Sequence, residues 1–156
     1  MRRDSVLCLV LFATLICLPA IAGAGVEEDI IALAKAQWSA DMTKDTGNMM
    51  ATVADDYTEF NADFPTRLDG KALNTRIAEA AAQGSGKVIL AEMANPKVQV
   101  YGDVAILTYN YIGMMMDDDG ETHPNLAKST RVYAKIGGTW KLVHANFAPV
   151  TAPESD

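Results

Sequence analysis

The feature that most constrains the fold is a run of long β-strand patterns that ends at residue 149. Apolar and polar side chains alternate along these segments, and Gly102-Asp103 and Gly137-Gly138 supply tight turns between neighbouring strands. The predicted strands are Lys87–Met93, Pro96–Tyr101, Val104–Met116, Ser129–Ile136 and Thr139–Phe147. Consecutive strands joined by short turns form an antiparallel sheet, so the rest of the chain must supply the layer that covers it.

The covering layer is predicted to be helical. Apolar residues recur three and four positions apart before the sheet, as they do on one face of a helix. The predicted helices are Glu27–Lys44, Asn48–Ala54 and Lys71–Gln83. Asp45 or Thr46 can cap the second helix, and Tyr57–Phe64 is predicted to be a strand. This order predicts an α+β fold, with three helices packed on a curved and mostly antiparallel sheet.

The first 24 residues have the pattern of a secretory signal peptide. Arg2 and Arg3 precede an apolar run, Val6–Leu18, which is shorter than the roughly 20 residues that span a membrane. Small residues follow, so we expect cleavage after Ala22 or Ala24 and a periplasmic or secreted protein. The alternative is an uncleaved membrane anchor.

Residues 25–150 are expected to form one domain, with residues 151–156 as a flexible tail. Both cysteines, Cys8 and Cys17, lie in the predicted signal, so the mature chain would have no disulfide and no thiol nucleophile. Removing residues 1–24 leaves 11 basic and 19 acidic residues, a net charge of −8. This charge argues against nucleic acid and anionic membrane surfaces as partners. We expect no metal and no cofactor, since the known phosphate-loop and zinc motifs do not occur.

The order of these elements resembles the cone-shaped nuclear transport factor 2-like fold. Four stretches further resemble the association domain of calcium/calmodulin-dependent protein kinase II: Asn95–Asp103, Ala105–Tyr109, Ser129–Tyr133 and Gly138–Phe147. The resemblance covers nearly all of the predicted mature chain. It implies a conical pocket between sheet and helices, and homodimers or larger rings made through the outer face of the sheet.

The resemblance does not imply one reaction, because the same superfamily includes steroid delta-isomerases, SnoaL-like polyketide cyclases and scytalone dehydratase. This chain also departs from the kinase pattern at the end of the last strand. The kinase domain has His-Phe-His-Arg there, whereas His144-Ala145-Asn146-Phe147 lacks the second histidine and the arginine. The arginine of the Thr-Arg-Val block is retained as Arg131.

Arg131 is the first candidate for a binding residue, because an unpaired guanidinium in the middle of a strand is costly to bury. Its planar fork suits a carboxylate or another anion. The alternative is a structural salt bridge to Glu59, Asp63 or Glu92. The full set of predicted pocket residues is Trp38, Tyr57, Glu59, Tyr109, Tyr111, Arg131 and His144.

No catalytic residue can be assigned, but the candidates are Glu59, Asp63 and His144. A carboxylate base and a tyrosine hydroxyl in one pocket would suit enolisation, although tyrosines at alternate positions are also common in cores. Strand alternation places His144 with Trp140, Leu142 and Asn146. The face of the last hairpin that looks inward stays undecided, and a core or interface histidine is the alternative.

Another acidic stretch, Asp117-Asp118-Asp119-Gly120, lacks the ligand spacing of a calcium loop and predicts a turn, with His123 in a solvent-exposed loop.

Three functions remain open from the sequence. The first is an exported module that binds a small apolar or anionic molecule, and the second is an oligomerisation domain. The third, an alternative to both, is a cofactor-free isomerase, lyase or cyclase of the steroid delta-isomerase or polyketide cyclase type.

Overall fold

A computed structural model describes residues 25–150 of the chain. The elements are α1 (Val26–Met42), α2 (Thr46–Met50), β1 (Val53–Asn61), β2 (Leu68–Asp69), α3 (Lys71–Gln83), β3 (Lys87–Tyr101), β4 (Val104–Met116), β5 (Thr122–Ile136) and β6 (Thr139–Pro149). The strands form one sheet in the order β2-β1-β6-β5-β4-β3. Neighbours are antiparallel except β1 and β6, which are parallel. The predicted α+β class with a mostly antiparallel sheet is confirmed.

The core lies between the helices and one face of the sheet. Ile30 of α1 packs there with Leu107, Tyr133 and Leu142 of three different strands, and all four side chains are less than 2% exposed. Burying a large apolar side chain in this way stabilises the fold by about 1.5–3 kcal/mol. In the described part of the chain, no helix is both long and apolar enough to cross a membrane.

The first two helices end earlier than the sequence pattern predicts. Helix α1 stops at Met42 because Lys44 has a positive φ of 56°, which no right-handed helix accommodates. Asp45 caps α2 as predicted, and its Oδ1 accepts a hydrogen bond from the backbone N–H of Asn48 at 3.0 Å.

The boundary between α2 and β1 was predicted wrongly. The expected helix ran to Ala54, whereas Val53 and Ala54 begin β1, which ends at Asn61. Val53 pairs with Leu142 of β6, and the sheet hydrogen bonds outweigh the local helical pattern.

Other strands are longer than predicted. Strand β3 is continuous, and Asn95 sits at a register shift within it with φ of 51°, a conformation that asparagine tolerates well. Strand β5 starts at Thr122, so His123 lies in a strand and not in a loop. Strand β4 and helix α3 have the predicted bounds.

A β-bulge in β6 decides which side chains of the last hairpin face the helices. Val143 has no partner in β5, because Val132 pairs with His144 and Tyr133 pairs with Leu142. This extra residue reverses the alternation, so odd-numbered residues after Val143 face the same way as even-numbered residues before it. The face towards the helices carries Trp140, Leu142, Ala145 and Phe147. His144 consequently lies on the uncovered face, and its predicted grouping with Trp140 and Leu142 is wrong.

Candidate ligand-binding site

A cavity of about 540 Å³ lies between the helices and the covered face of the sheet. Small-molecule sites span about 300–1,000 Å³, so its volume suits a small ligand. The structure brings these predicted residues into its lining: Trp38, Tyr57, Glu59, Asp63, Tyr109, Tyr111 and Arg131. Four elements supply them, namely α1, β1, β4 and β5, together with the segment that follows β1.

Arg131 occupies the deepest charged position. Its side chain is 5% exposed. Its Nε donates a hydrogen bond to the Tyr109 hydroxyl at 2.8 Å, and Nη1 donates to the side-chain carbonyl of Gln37. Gln37 is itself oriented, because its Nε2 donates to the backbone carbonyl of Met49 at 3.1 Å. The guanidinium carbon lies 5.2 Å from the centre of the Phe147 ring.

The partners of Arg131 are neutral. Within residues 25–150 no carboxylate lies within 4.0 Å of its guanidinium, so the alternative of a salt bridge to Glu59, Asp63 or Glu92 is not present. Burial lowers the pKa of Arg131, whereas the neighbouring phenols of Tyr109 and Tyr133 raise it. The phenols together outweigh burial, so the pKa of Arg131 is raised. Arg131 is therefore a protonated and buried cation that makes no salt bridge in the described part of the chain.

A carboxylate lies elsewhere in the same cavity. Glu59 is half-buried, and its Oε2 accepts a hydrogen bond from the Tyr57 hydroxyl at 2.6 Å while Oε1 accepts from Asn61 Nδ2 at 3.0 Å. Burial raises the pKa of Tyr57, and the charge and hydrogen bond of Glu59 raise it further. Asp63 is exposed at the rim. Glu59 is therefore the deeper of the two carboxylates that were candidate bases.

Aromatic side chains form one wall of the cavity. Trp38 meets Tyr109 and Tyr111 edge to face, with ring centres 5.4 Å and 5.3 Å apart. Burial raises the pKa of Tyr111, with the Asp41 charge contributing in the same direction. The Tyr111 ring lies against Gly113, where an added Cβ would be 2.5 Å from a ring carbon. The backbone of Gly113 thus provides the space that the phenol occupies.

Several lining residues were missed in the sequence. Gln37 and Asp41 lie one turn apart on α1, beside the predicted Trp38. Burial raises the pKa of Asp41, and the Arg131 charge partly opposes this shift. Ser129 is 4% exposed, and its hydroxyl has no hydrogen-bond partner among the described residues. Ser129 precedes Arg131 by two positions, so strand alternation could have placed both on one face.

The structure does not bring the two histidines to the cavity. His144 Nδ1 lies 2.8 Å from the Thr58 hydroxyl on the uncovered face. His123 Nε2 lies 2.8 Å from Asp117 Oδ2, and this hydrogen bond is the main reason that the Asp117 pKa is lowered. The other Asp117 oxygen accepts from the backbone N–H of Glu121 at 2.9 Å, so the cluster organises the β4–β5 turn.

Comparison with known proteins decides the family. The family model of the calcium/calmodulin-dependent protein kinase II association domain matches residues 26–150. The chain belongs to this association-domain family. The resemblance in the sequence is thereby confirmed. A comparison with curated protein sequences finds no significant match.

Solved structures share the fold of this association domain. A proposed kinase II association domain from Xanthomonas campestris is 18% identical, with a TM-score of 0.71 over 94% of this chain and 100% of that one. The kinase II hub of S. rosetta is 22% identical, with a TM-score of 0.67 over 83% and 100%. A proposed ketosteroid isomerase from Parabacteroides distasonis is 20% identical, with a TM-score of 0.70 over 85% and 93%. At these identities the likeness establishes the fold alone.

Proposed function

We propose that this association domain binds a small anionic molecule in its cavity, with Arg131 as the residue that contacts the anion. The observation that carries the proposal is a buried arginine, 5% exposed, whose hydrogen-bond partners are neutral. An isolated buried cation is costly, and a bidentate carboxylate is the ligand that best matches its planar fork. The guanidinium belongs to the cavity lining, where a ligand oxygen can meet it.

The anion site is tested by calorimetric titration of the purified protein with n-alkanoates of three to six carbons. Hydrogen bonds to a charged group contribute about 1.5–3 kcal/mol, so Arg131→Gln should weaken binding by about ten- to a hundredfold. Arg67→Gln is the matched control, because Arg67 is exposed and pairs with Asp69 outside the cavity. Equal binding by the wild type and Arg131→Gln would refute the proposal.

Self-association through the uncovered face of the sheet is the second part of the proposal. Large apolar side chains are exposed there, and Ile112 and Leu126 are direct cross-strand neighbours with 38% and 40% exposure. A contiguous apolar surface of this kind is typical of an interface. The family name and the relative described as a hub support the same conclusion.

Sedimentation velocity at micromolar concentration tests the assembly. Leu126→Asp should shift the wild-type oligomer towards the monomer, because it buries a charge in the proposed interface. Val26→Asp is the control, since Val26 is 37% exposed at the start of α1, where the helix dipole accommodates an acid. A monomeric wild type, or an unchanged oligomer in Leu126→Asp, would contradict the proposal.

Export is also proposed, on the pattern of residues 1–24 and on a family match that begins only at residue 26. The mass of the protein recovered from a fractionated bacterial host tests it. A periplasmic product that begins at Gly23 or Gly25 is expected. Full-length protein in the membrane fraction would favour the uncleaved anchor instead.

A cofactor-free isomerase, lyase or cyclase is the second candidate function. The observation that favours it is the Tyr109 hydroxyl, which accepts from Arg131 and can donate its own proton to a developing oxyanion in the cavity that holds Glu59. However, Tyr57 and Asn61 already donate hydrogen bonds to the two oxygens of Glu59, which would have to take the substrate proton. Conversion of a Δ5-3-ketosteroid to its conjugated enone, lost in Glu59→Gln, would establish this activity, and no conversion by the wild type would exclude that substrate.

A further inference from the structure

We propose that the ligand of this cavity is dipolar, with a carboxylate that binds Arg131 and an amine cation that binds Glu59. The inference rests on the proposed anion site and adds a second, oppositely charged contact to it. Its basis is the position of the two charges in the sheet, their lack of ionic partners and the charge balance of the cavity.

Arg131 and Glu59 lie in one row across the sheet. Arg131 of β5 pairs with Ala145 of β6, and Ala145 pairs with Glu59 of β1. Adjacent strands are about 4.8 Å apart, so the two Cα atoms are separated by roughly 10 Å. Because Ala145 is fully buried and has only a methyl group, it does not place a large side chain between the two charges. A short ligand can therefore span from one charge to the other.

Neither charge forms an ion pair within the described residues. Arg131 and Glu59 lie more than 4.0 Å apart, and no other opposite charge lies within 4.0 Å of either one. The groups that bond to Glu59 are the neutral Tyr57 and Asn61, which hold its carboxylate in place without removing its charge. A simple carboxylate would neutralise Arg131 alone and would be repelled by Glu59. A ligand with both charges compensates both sites.

The cavity as a whole is electrically balanced. Its lining contains three basic residues, Lys44, Lys87 and Arg131, and three acidic residues, Asp41, Glu59 and Asp63. Asp63 is exposed, so solvent screens its charge. Asp41 is partly screened and lies more than 4.0 Å from the Arg131 guanidinium, although the two charges still act on each other. Arg131 and Glu59 are therefore the two charges that a ligand would cover. A ligand without net charge but with separated charges leaves this balance unchanged.

Calorimetry with two matched series of probes tests the inference on the full chain. The probes are ω-amino carboxylates and n-alkanoates, each of three to six carbons. At the best length, the wild type should bind the amino carboxylate about tenfold more tightly than the alkanoate. Glu59→Gln keeps the shape of the side chain and should abolish this preference while retaining alkanoate binding. Glu79→Gln, an exposed glutamate on α3 outside the cavity, is the control and should keep the preference.

The results separate the two proposals. If the wild type binds alkanoates as tightly as amino carboxylates, or if Glu59→Gln keeps the preference, the dipolar ligand is refuted and the anion site at Arg131 stands. If neither series binds the wild type, both proposals are refuted for short-chain ligands. The two series of probes are also compared on the wild type alone. The inference can therefore be refuted even if Glu59→Gln does not fold.

Discussion

Replacing Gly113 by alanine is expected to destabilise the protein by displacing the Tyr111 ring. An added Cβ would lie 2.5 Å, 2.7 Å and 2.8 Å from three atoms at the hydroxyl end of the ring, and real Cβ contacts are essentially never shorter than 3.0 Å. Because the atoms belong to a rigid phenol, the whole ring must move. Tyr111 packs against Trp38 and lines the cavity, so its movement also changes the binding site.

The expected cost follows from the contacts that change. Overpacking a well-packed site costs about 1–3 kcal/mol, and losing the edge-to-face contact with Trp38 costs about 0.5–1.5 kcal/mol. Alanine offsets about 0.5–1 kcal/mol of this, since glycine loses more backbone entropy on folding. Gly113→Ala should therefore lower the free energy of unfolding by roughly 0.5–4 kcal/mol.

Urea unfolding followed by tryptophan fluorescence measures this change, since Trp38 lies beside the displaced ring. Gly47→Ala is the control for the same substitution without a steric conflict. Gly47 is exposed in α2, and its added Cβ would meet Asp45 Oδ1 at an ordinary 3.5 Å. The control should be neutral or stabilising by up to about 1 kcal/mol.

A double-mutant cycle identifies the cause. In a Tyr111→Ala background the added methyl group of Gly113→Ala no longer meets the phenol, so its cost should largely disappear. The reasoning is wrong if Gly113→Ala behaves like Gly47→Ala in the wild type. It is also wrong if the full cost persists after Tyr111 is removed.

Three further variants test single groups by thermal or urea unfolding. Ser129→Ala should raise the free energy of unfolding by about 1 kcal/mol, since it removes a buried hydroxyl without a partner, and a loss of stability would mean that the hydroxyl is bonded. Hydrogen bonds from Ser85 lower the pKa of Asp118, so its stabilisation is present above pH 3.8 and is lost as the pH falls through the lowered folded pKa. Asp118→Asn should therefore be less stable than the wild type at pH 7, with a gap that closes in acid; a gap independent of pH would contradict this. Burial raises the pKa of Asp41, so its ionisation opposes folding as the pH rises above 3.8, and Asp41→Asn should be more stable than the wild type at pH 7 but not at pH 3. An equal effect at both pH values would show that ionisation is not the cause.

Local patterns predicted some elements well and others poorly. Strand β4 and helix α3 have the predicted bounds because their alternation and turn residues agree with their final surroundings. Val53 was placed in a helix because the neighbouring methionines favour one, whereas its pairing with Leu142 is a contact of distant residues. The alternation predicts two strands where the structure has the single strand β3. Asn95, with its positive φ, lets β3 continue through a register shift.

The candidate site shows the same division. The alternation predicts that Arg131 lies in the middle of a strand, where its guanidinium needs a partner. It also predicts that Tyr57 and Glu59 share one face. It placed His144 wrongly, because the extra residue Val143 inverts the alternation in β6. The amide of Gln37, which accepts from Arg131, comes from α1, 94 positions away in the chain.

The sequence by itself therefore determined the α+β class, most of the strands and a central strand with an arginine that calls for a partner. These properties depend on side-chain periodicity and turn chemistry, which are local. The tertiary structure alone decided that β1 lies parallel to β6, that Ala145 sits between Arg131 and Glu59, and that His144 faces away from the cavity. Strand order and bulges depend on pairing between distant segments, so no local pattern contains them.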